Sequence, residues 1–249
     1  ARVRLETGLE TTGGIRSAGA GYVDPYRVAI GLAAAAAGRK AAIFERTRIT
    51  KVRSRSSGVE LLMEGGLVKA ETLIVASDYP PPPFAPLRRH FKAMDTYCVL
   101  TAPVPSFVRR GFGRSRALVL DREEPRHALR RTSDERVLFM GADQPRVAPR
   151  SREKVLVQRT GQLMYELSRL YPAISGIQPE YGWDAPVSAT TDGFLCAGPH
   201  RNYPHHLFAL GIGHNGSAAS YLAARVLLRH FLGQAEKGDE LFGFARILG

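Results

Sequence analysis

The chain has 249 residues, with 35 Lys and Arg against 23 Asp and Glu, giving a formal charge of +12. Its 44% hydrophobic and 23% charged residues make a globular composition, long enough for one large domain or two intertwined ones. No apolar run approaches the roughly 18 residues that a membrane span needs. Cys98 and Cys196 lie far apart without metal-ligand spacing, which excludes a disulfide framework and suits a reducing compartment. The chain opens Ala1-Arg2-Val3-Arg4 without Met and without an apolar leader, so the expectation is a cytoplasmic protein that is processed, engineered or incomplete. The basic surplus invites a nucleic-acid partner. The arginines, however, come as scattered pairs such as Arg88-Arg89 and Arg130-Arg131, with no aromatic residues between them to form a stacking platform, so none is expected.

Residues 1–23 read as strand and loop. Asp24-Pro25 supplies a cap followed by Pro at the first helical position, predicting a helix to about Ala37 that stops at Gly38. Lys40 to Glu45 reads as a short buried parallel strand. Period-two apolar positions from Ile49 to Ala76, with Gly58 and Gly65-Gly66 at turns, predict a meander ending in the strand Leu73–Ala76. The proline run from Tyr79 to Pro86 fits neither sheet nor helix interior and marks a crossing between domains. Strands are expected near 93–103, 116–120, 126–131 and 136–140. A helix capped by Ser151 should carry Val155, Leu156, Leu163, Met164, Leu167 and Leu170 on one face, ending at Tyr171-Pro172. Strands near 176–187, 194–198 and 206–210 follow, and then a strong helix from Asn215 to Leu232 closed by Gly233.

Gly211-Ile-Gly213-His-Asn-Gly216 matches G-x-G-x-x-G between a predicted strand and a helix, which is the setting of a dinucleotide-binding turn. Too few residues follow Gly233 to supply the second strand of a βαβ unit and its ribose-binding acid. What remains is local physics: glycines admit a ligand close to the backbone, and free N–H groups at a helix start favour anionic oxygen. A plain tight turn is the alternative.

Five segments in order carry a resemblance. They are Val23-Asp-Pro-Tyr26, Ala42-Ile-Phe-Glu-Arg-Thr-Arg-Ile49, Leu73-Ile-Val-Ala-Ser77, Tyr181-Gly-Trp183 with Thr190-Thr-Asp192-Gly193 and Gly198, and Leu207 through Gly216. Together they resemble the FAD-dependent oxidoreductases of the D-amino-acid oxidase and glycine oxidase superfamily. The resemblance implies a mixed α/β fold in which a Rossmann-like FAD domain is interrupted by a mixed-sheet substrate domain. Residues 1–77 and 188–249 would be FAD-domain parts and 78–187 the substrate domain.

The departures are equally specific. The family's opening strand–GxGxxG–helix and its ribose-binding acid are missing, so the chain resembles a member that lacks its N-terminal segment. Asp78 stands where the family usually has Gly, and a carboxylate there would repel phosphate unless turned outward. Leu195 replaces the Pro of the Asp-Gly segment. Val187 stands where amino-acid oxidases carry an Arg for the substrate carboxylate, which argues against a simple α-amino acid. Ala185 stands where covalently flavinylated members have Cys, so FAD would be non-covalent.

By the resemblance, the Ile49 backbone would touch the adenine end of FAD, although burial alone also explains its apolarity. Ala76 and Ser77 would line the cofactor or simply end a strand. Gly211 and Gly213 belong to the same turn, and Gly216, Ser217 and Ala218 would aim N–H groups at the flavin pyrimidine ring. Asn215 and His214 would sit near that face, His214 also as a substrate-binding residue, with a solvated loop histidine as the alternative. Tyr97, Tyr181 and Trp183 are expected as walls of a substrate pocket, with ordinary packing as the alternative. The chemistry implied is hydride transfer from a carbon next to an amine nitrogen to flavin N5, giving an imine, and no catalytic side chain is specified.

Other constellations fail. Ser151-Arg-Glu-Lys154 matches S-x-x-K without a partner motif, and His200, His205 and His206 lack joining carboxylates, so no metal is expected. Cys196 reads as a buried, inert thiol. The partner expected is a small amine or amino-acid-like molecule, and nothing in the pattern specifies the electron acceptor. The competing reading is a truncated, inactive fragment or binding module that does not hold FAD alone.

Overall fold

The computed structural model describes residues 2–17, 19–114, 116–121 and 126–247. In chain order its elements are α1 (Arg2–Thr7), α2 (Pro25–Gly38), β1 (Ile49–Arg55), β2 (Gly58–Met63), β3 (Gly66–Ala70), β4 (Leu73–Asp78), β5 (Lys92–Thr101), α3 (Ser106–Arg109), β6 (Val119–Leu120), β7 (Ala128–Arg131), β8 (Val137–Pro145), α4 (Arg152–Leu170), β9 (Pro179–Ala189), β10 (Cys196–His200), β11 (Tyr203–Leu210) and α5 (Gly216–Phe231). Contacts divide this mixed α/β chain into two units, one of Ala1–Tyr22 with Met94–Pro186 and one of Val23–Ala93 with Val187–Gly249.

The first unit is a five-stranded sheet in the order β6-β7-β8-β5-β9, with α4 across one face. The helical spacing of α4 buries Leu163 and Leu167 completely against Tyr97, Val99, Val137 and Phe139, while Val155, Leu156 and Met164 pack at the margin. Leu170, expected on the same face, is exposed, because the helix ends there. The Ser151 hydroxyl makes no capping bond, contrary to expectation. Residues 1–22 also belong to this unit and include a helical turn where strand and loop were expected. Their attachment is concrete: the Tyr171 hydroxyl donates to Thr7 O at 2.7 Å, and Arg114 N–H donates to Leu5 O at 3.0 Å. Gly8 sits so close to Gly111 that a Cβ would lie 1.7 Å from its carbonyl oxygen.

The second unit holds two three-stranded sheets, β1-β2-β3 and β10-β11-β4. The meander appears as expected, with Val52 opposite Leu61 and Val59 opposite Ala70. In the other sheet β11 runs antiparallel to β10 and parallel to β4, pairing Phe208 with Val75 and Ala209 with Ala76. Side-chain alternation makes β10–β11 serve two cores. Cys196, Phe208 and Leu210 face Val75, Phe84, Leu87 and Phe244. Ala197, Leu207 and Ala209 face Ala223, Val226 and Leu227 of α5, and the two alanines leave room for the helix.

Two expectations fail here. The proline run is not a crossing: Pro82–His90 forms a 3-10 segment that buries Phe84 and Leu87 in this unit's core, and the chain passes between units after Ala93. Residues 40–45 form no strand, since no neighbouring strand pairs with them among the described residues, and Ile43 and Phe44 are 54% and 76% exposed. Helix α2 starts as expected, Asp24 Oδ1 accepting from the N–H groups of Tyr26 and Arg27 at 3.0 and 3.1 Å, yet it buries none of its residues.

His200 is 5% exposed, edge-on to Phe244 with ring centroids 5.0 Å apart; its Nδ1 accepts from Asn202 N–H at 3.2 Å, and no partner among the described residues meets its Nε2. Burial, reinforced by Arg201, His90 and Arg89, holds its pKa below the usual 6.5. A histidine kept neutral by folding contributes stability above its unfolded value, and that contribution is lost as pH falls through it. We expect the urea midpoint to drop between pH 7 and pH 5, and to drop less in His200→Asn. An unchanged pH dependence in that variant would refute the assignment.

Candidate functional site

Parallel pairing sets the geometry. Because β11 and β4 run the same way, their carboxyl ends lie side by side, and the loops leaving them meet at one edge of the sheet; in open α/β sheets this edge forms ligand crevices. At this edge stand Ala76 and Ser77 at the end of β4, both exposed, and the turn from Gly211 to Asn215 leading into α5. A register shift between Ala209 and Leu210 pairs Leu210 with Asp78, and the Ser77 hydroxyl donates to Tyr79 O at 3.0 Å. The structure thus gathers Ala76, Ser77, Gly211, Gly213, His214, Asn215, Gly216, Ser217 and Ala218 at one sheet edge. Ile49, half-buried at the start of β1, belongs to the other sheet of the unit.

The amides of the turn are already used. Gly211 N–H donates to Asp78 O at 2.8 Å, Ile212 N–H to the Asp78 carboxylate at 2.7 Å, and Gly213 N–H to Ser188 O at 3.0 Å. Gly211 is forced by its φ of +68° and by Phe91, whose ring would lie 3.0 Å from a Cβ. The G-x-G-x-x-G pattern is therefore a strand-to-helix junction stitched to its neighbours, and Gly211 and Gly213 do not offer their N–H groups to a ligand. The start of α5 differs. Asn215 provides no side-chain cap, and the ladder begins only with Ala219 N–H donating to Asn215 O, so the N–H groups of Gly216, Ser217 and Ala218 have no intrahelical acceptors. Ser217 and Ala218 are exposed, and no heavy atom lies within 4 Å of a Cβ built on Gly216. Residues fit to receive an electron-rich ring edge are present; among the described residues of this turn, a phosphate cradle is not.

The Thr190–Gly193 segment has a supporting part. Asp192 accepts from the Thr190 hydroxyl at 2.8 Å, from Phe194 N–H at 3.1 Å and from the Arg246 guanidinium. Arg246 also donates to Phe194 O at 2.8 Å and Leu241 O at 2.7 Å, tying the loop to the C-terminal segment. No sequence signal marks Arg246, because its partner lies more than fifty residues away.

The expected substrate residues of the first unit part company. On β9, a Cβ at Gly182 would meet Thr160 of α4 at 2.6 Å, and Asp184 pairs with Arg152 of α4, so these positions face the helix. Alternation sends Tyr181 and Trp183 to the opposite face, where they are 57% and 39% exposed. Tyr97 instead lies on the helix-covered face, 2% exposed in the core, which corrects its reading as a pocket wall. Its hydroxyl accepts from Gln144 Nε2 at 2.7 Å. Arg159, Gln162 and Glu166 continue that chain of hydrogen bonds to His127, which contacts Asp121 at 2.6 Å. Sequence pattern does not announce this network, whose members come from separate elements.

Compared with known families, the chain matches the FAD dependent oxidoreductase (DAO) family over residues 1–229. It belongs to that family. It is 24% identical over 232 residues to a probable oxidoreductase OrdL of Haemophilus influenzae, a match covering 90% of this chain and 51% of that protein. Among solved structures it resembles glycine oxidase from Geobacillus kaustophilus (TM-score 0.70, 24% identity, covering 89% of this chain and 58% of that one). L-proline dehydrogenase from P. horikoshii gives a TM-score of 0.72 at 15% identity, covering 90% and 60%. The chain thus spans about half the length of this curated relative. No helix among its described residues is long and apolar enough to cross a membrane, and none of the described His, Cys, Asp and Glu form a metal-holding group.

Asp192 gives a pH test of the supporting loop. The Arg246 guanidinium, with Thr190 and Phe194, holds its carboxyl down at about 2, against a usual 3.8. Stability from a depressed carboxyl is present above its unfolded value and is lost as pH falls through the folded one. We expect Asp192→Asn to melt below wild type at pH 7 and the two curves to converge between pH 4 and pH 2. Parallel curves across that range would exclude the clamp.

Proposed function

We propose that this chain forms the substrate-facing sheet and the C-terminal flavin-facing part of an FAD-dependent oxidoreductase acting on a small amine or amino-acid-like molecule. The uncapped start of α5 at the carboxyl edge of two parallel strands carries the reading. FAD, held non-covalently, would supply the hydride acceptor for oxidation of a carbon next to nitrogen, yielding an imine that water hydrolyses. The chain's own contribution at that end is electrostatic. The N–H groups of Gly216, Ser217 and Ala218, at the positive end of a helix dipole, favour negative charge on a ring placed against them and need no reorganisation to do so. His214 and Asn215 are both exposed beside those donors, next to where the ring would lie. Trp183, half-exposed on the open face of its sheet, is the side chain we assign to substrate packing.

The phosphate end is where further polypeptide enters the proposal. The turn amides are consumed internally, α2 buries nothing, and Tyr26, Ile30 and Leu32 are 74%, 55% and 66% exposed. Relatives such as the OrdL protein are nearly twice as long as the stretch matched. These observations support a preceding or separately supplied segment that covers this apolar surface and holds the pyrophosphate. The chain alone would then bind FAD reversibly and lose it on desalting.

Fluorescence titration with FAD tests the α5 assignment. Ser217→Glu places a carboxylate in the first turn, where it favours the helix by about 0.5 kcal/mol yet repels a negatively polarised ring. We expect FAD affinity at least tenfold weaker with an unchanged or higher Tm. Equal affinity would remove the α5 start from the site, and no FAD binding by the wild-type chain at millimolar concentration would favour the inactive-fragment reading.

Steady-state kinetics with amine substrates on the flavin-loaded enzyme separates the two aromatic residues. Trp183→Ala should raise KM about tenfold, the loss of roughly 1.4 kcal/mol of packing. Tyr97→Phe should leave KM unchanged and cost about 1 kcal/mol of stability by removing the acceptor for Gln144. The reverse pattern would place the substrate on the helix-covered face.

A further inference from the structure

Asp78 combines three features that folding alone does not favour. Its φ is +59°, in the left-handed region where non-glycine residues are uncommon. Its carboxylate is half-buried and is met by backbone N–H groups, with no ion pair to a cation among the described residues. It also stands beside Ser188, which is 1% exposed and whose hydroxyl has no partner among the described residues. A left-handed backbone and a half-buried carboxylate with no cation beside it, together at one residue, point to a role beyond packing.

The contacts say what the residue does. Its carbonyl accepts Gly211 N–H at 2.8 Å and its carboxylate accepts Ile212 N–H at 2.7 Å. The N–H groups of Ser188 and Gly213 also favour its charged form, and Gly213 N–H donates to Ser188 O at 3.0 Å. The ends of β4, β9 and β11 are therefore joined at one point, one turn ahead of α5. We propose that Asp78 is a positioning residue, its carboxylate and carbonyl locking the Gly211–Gly213 turn and so fixing the direction in which the free N–H groups of Gly216, Ser217 and Ala218 point. That those groups serve a flavin rests on the function proposed above; the lock itself does not.

The lock has a cost in stability. Burial pushes the Asp78 carboxyl above its usual 3.8 despite the N–H donors. A raised carboxyl stabilises the fold fully below its unfolded value, and that contribution is lost as pH rises through the folded one, so the ionised form is a burden at neutral pH. Asparagine removes the charge, keeps an acceptor oxygen and tolerates positive φ. Glycine relieves the strain and keeps the carbonyl but offers no side-chain acceptor for Ile212 N–H.

Amide hydrogen exchange by NMR on the full chain tests this, with rates corrected for intrinsic exchange and the β10–β11 amides as internal reference. In Asp78→Gly we expect Ile212 to exchange at least tenfold faster with the reference unchanged. In Asp78→Asn we expect protection within about threefold of wild type, a Tm at pH 7 at or above wild type, and no fall in stability as pH rises above 4. Wild-type protection of Ile212 in Asp78→Gly, or an Asn variant as unprotected as the Gly variant, would overturn the lock. FAD titration of the same variants should weaken for Gly and not for Asn. Altered exchange with equal FAD affinity in all three proteins would leave the lock standing and overturn the flavin role of the α5 start.

Discussion

The parallel register of β11 against β4 is the constraint on which the second unit depends. It sets Leu207 beside Ile74 and Ala209 beside Ala76, so two segments more than a hundred residues apart end at the same edge. Everything proposed for that edge follows from this coincidence: the meeting of two strand ends, the turn between β11 and α5, and a helix whose first N–H groups lack intrahelical acceptors. The same strand carries Phe208 and Leu210 to one core and Leu207 and Ala209 to the other. Packing on both faces holds β11 in register, and register holds the site.

Arginine is used as an internal fastener in this basic chain. Arg246 ties the Asp192 loop to Leu241 and Phe194, and Arg229 donates to Asp239 at 2.9 Å, fixing the stretch after α5. In the first unit, Arg152 fixes Asp184 on β9 at 2.8 Å. A planar guanidinium can meet a carboxylate and several carbonyls at once, and so can hold segments that share no strand or helix. The surplus of basic residues thus contributes to tertiary structure, in keeping with the absence of a basic patch in the sequence pattern.

Local elements were legible wherever neighbouring residues decide them. Asp24-Pro25 starts α2, glycines turn the meander, and helical spacing on α4 marks Leu163 and Leu167 for the core. The reading failed where a segment's fate depends on something distant. Residues 40–45 have the composition of a buried strand, yet no strand lies beside them among the described residues, and an unpaired strand does not persist. The prolines after Tyr79 suggested a boundary, but Phe84 and Leu87 within that run found a core to fill. Tyr97 and Trp183 read alike as aromatic residues on strands, and only the position of α4 assigns them to opposite faces.

What the sequence determined by itself was family and the order of the elements that local periodicity decides, because motifs and periodicity are local and survive in sequence. The family match over residues 1–229 accords with the five ordered segments. What the tertiary structure alone decided was which polar groups are already satisfied. The G-x-G-x-x-G letters promise free amides, but Asp78 and Ser188, brought in by other strands, consume those of Gly211, Ile212 and Gly213 and leave those at the start of α5. Hydrogen-bond satisfaction is a property of three-dimensional neighbours, and no one-dimensional pattern records it.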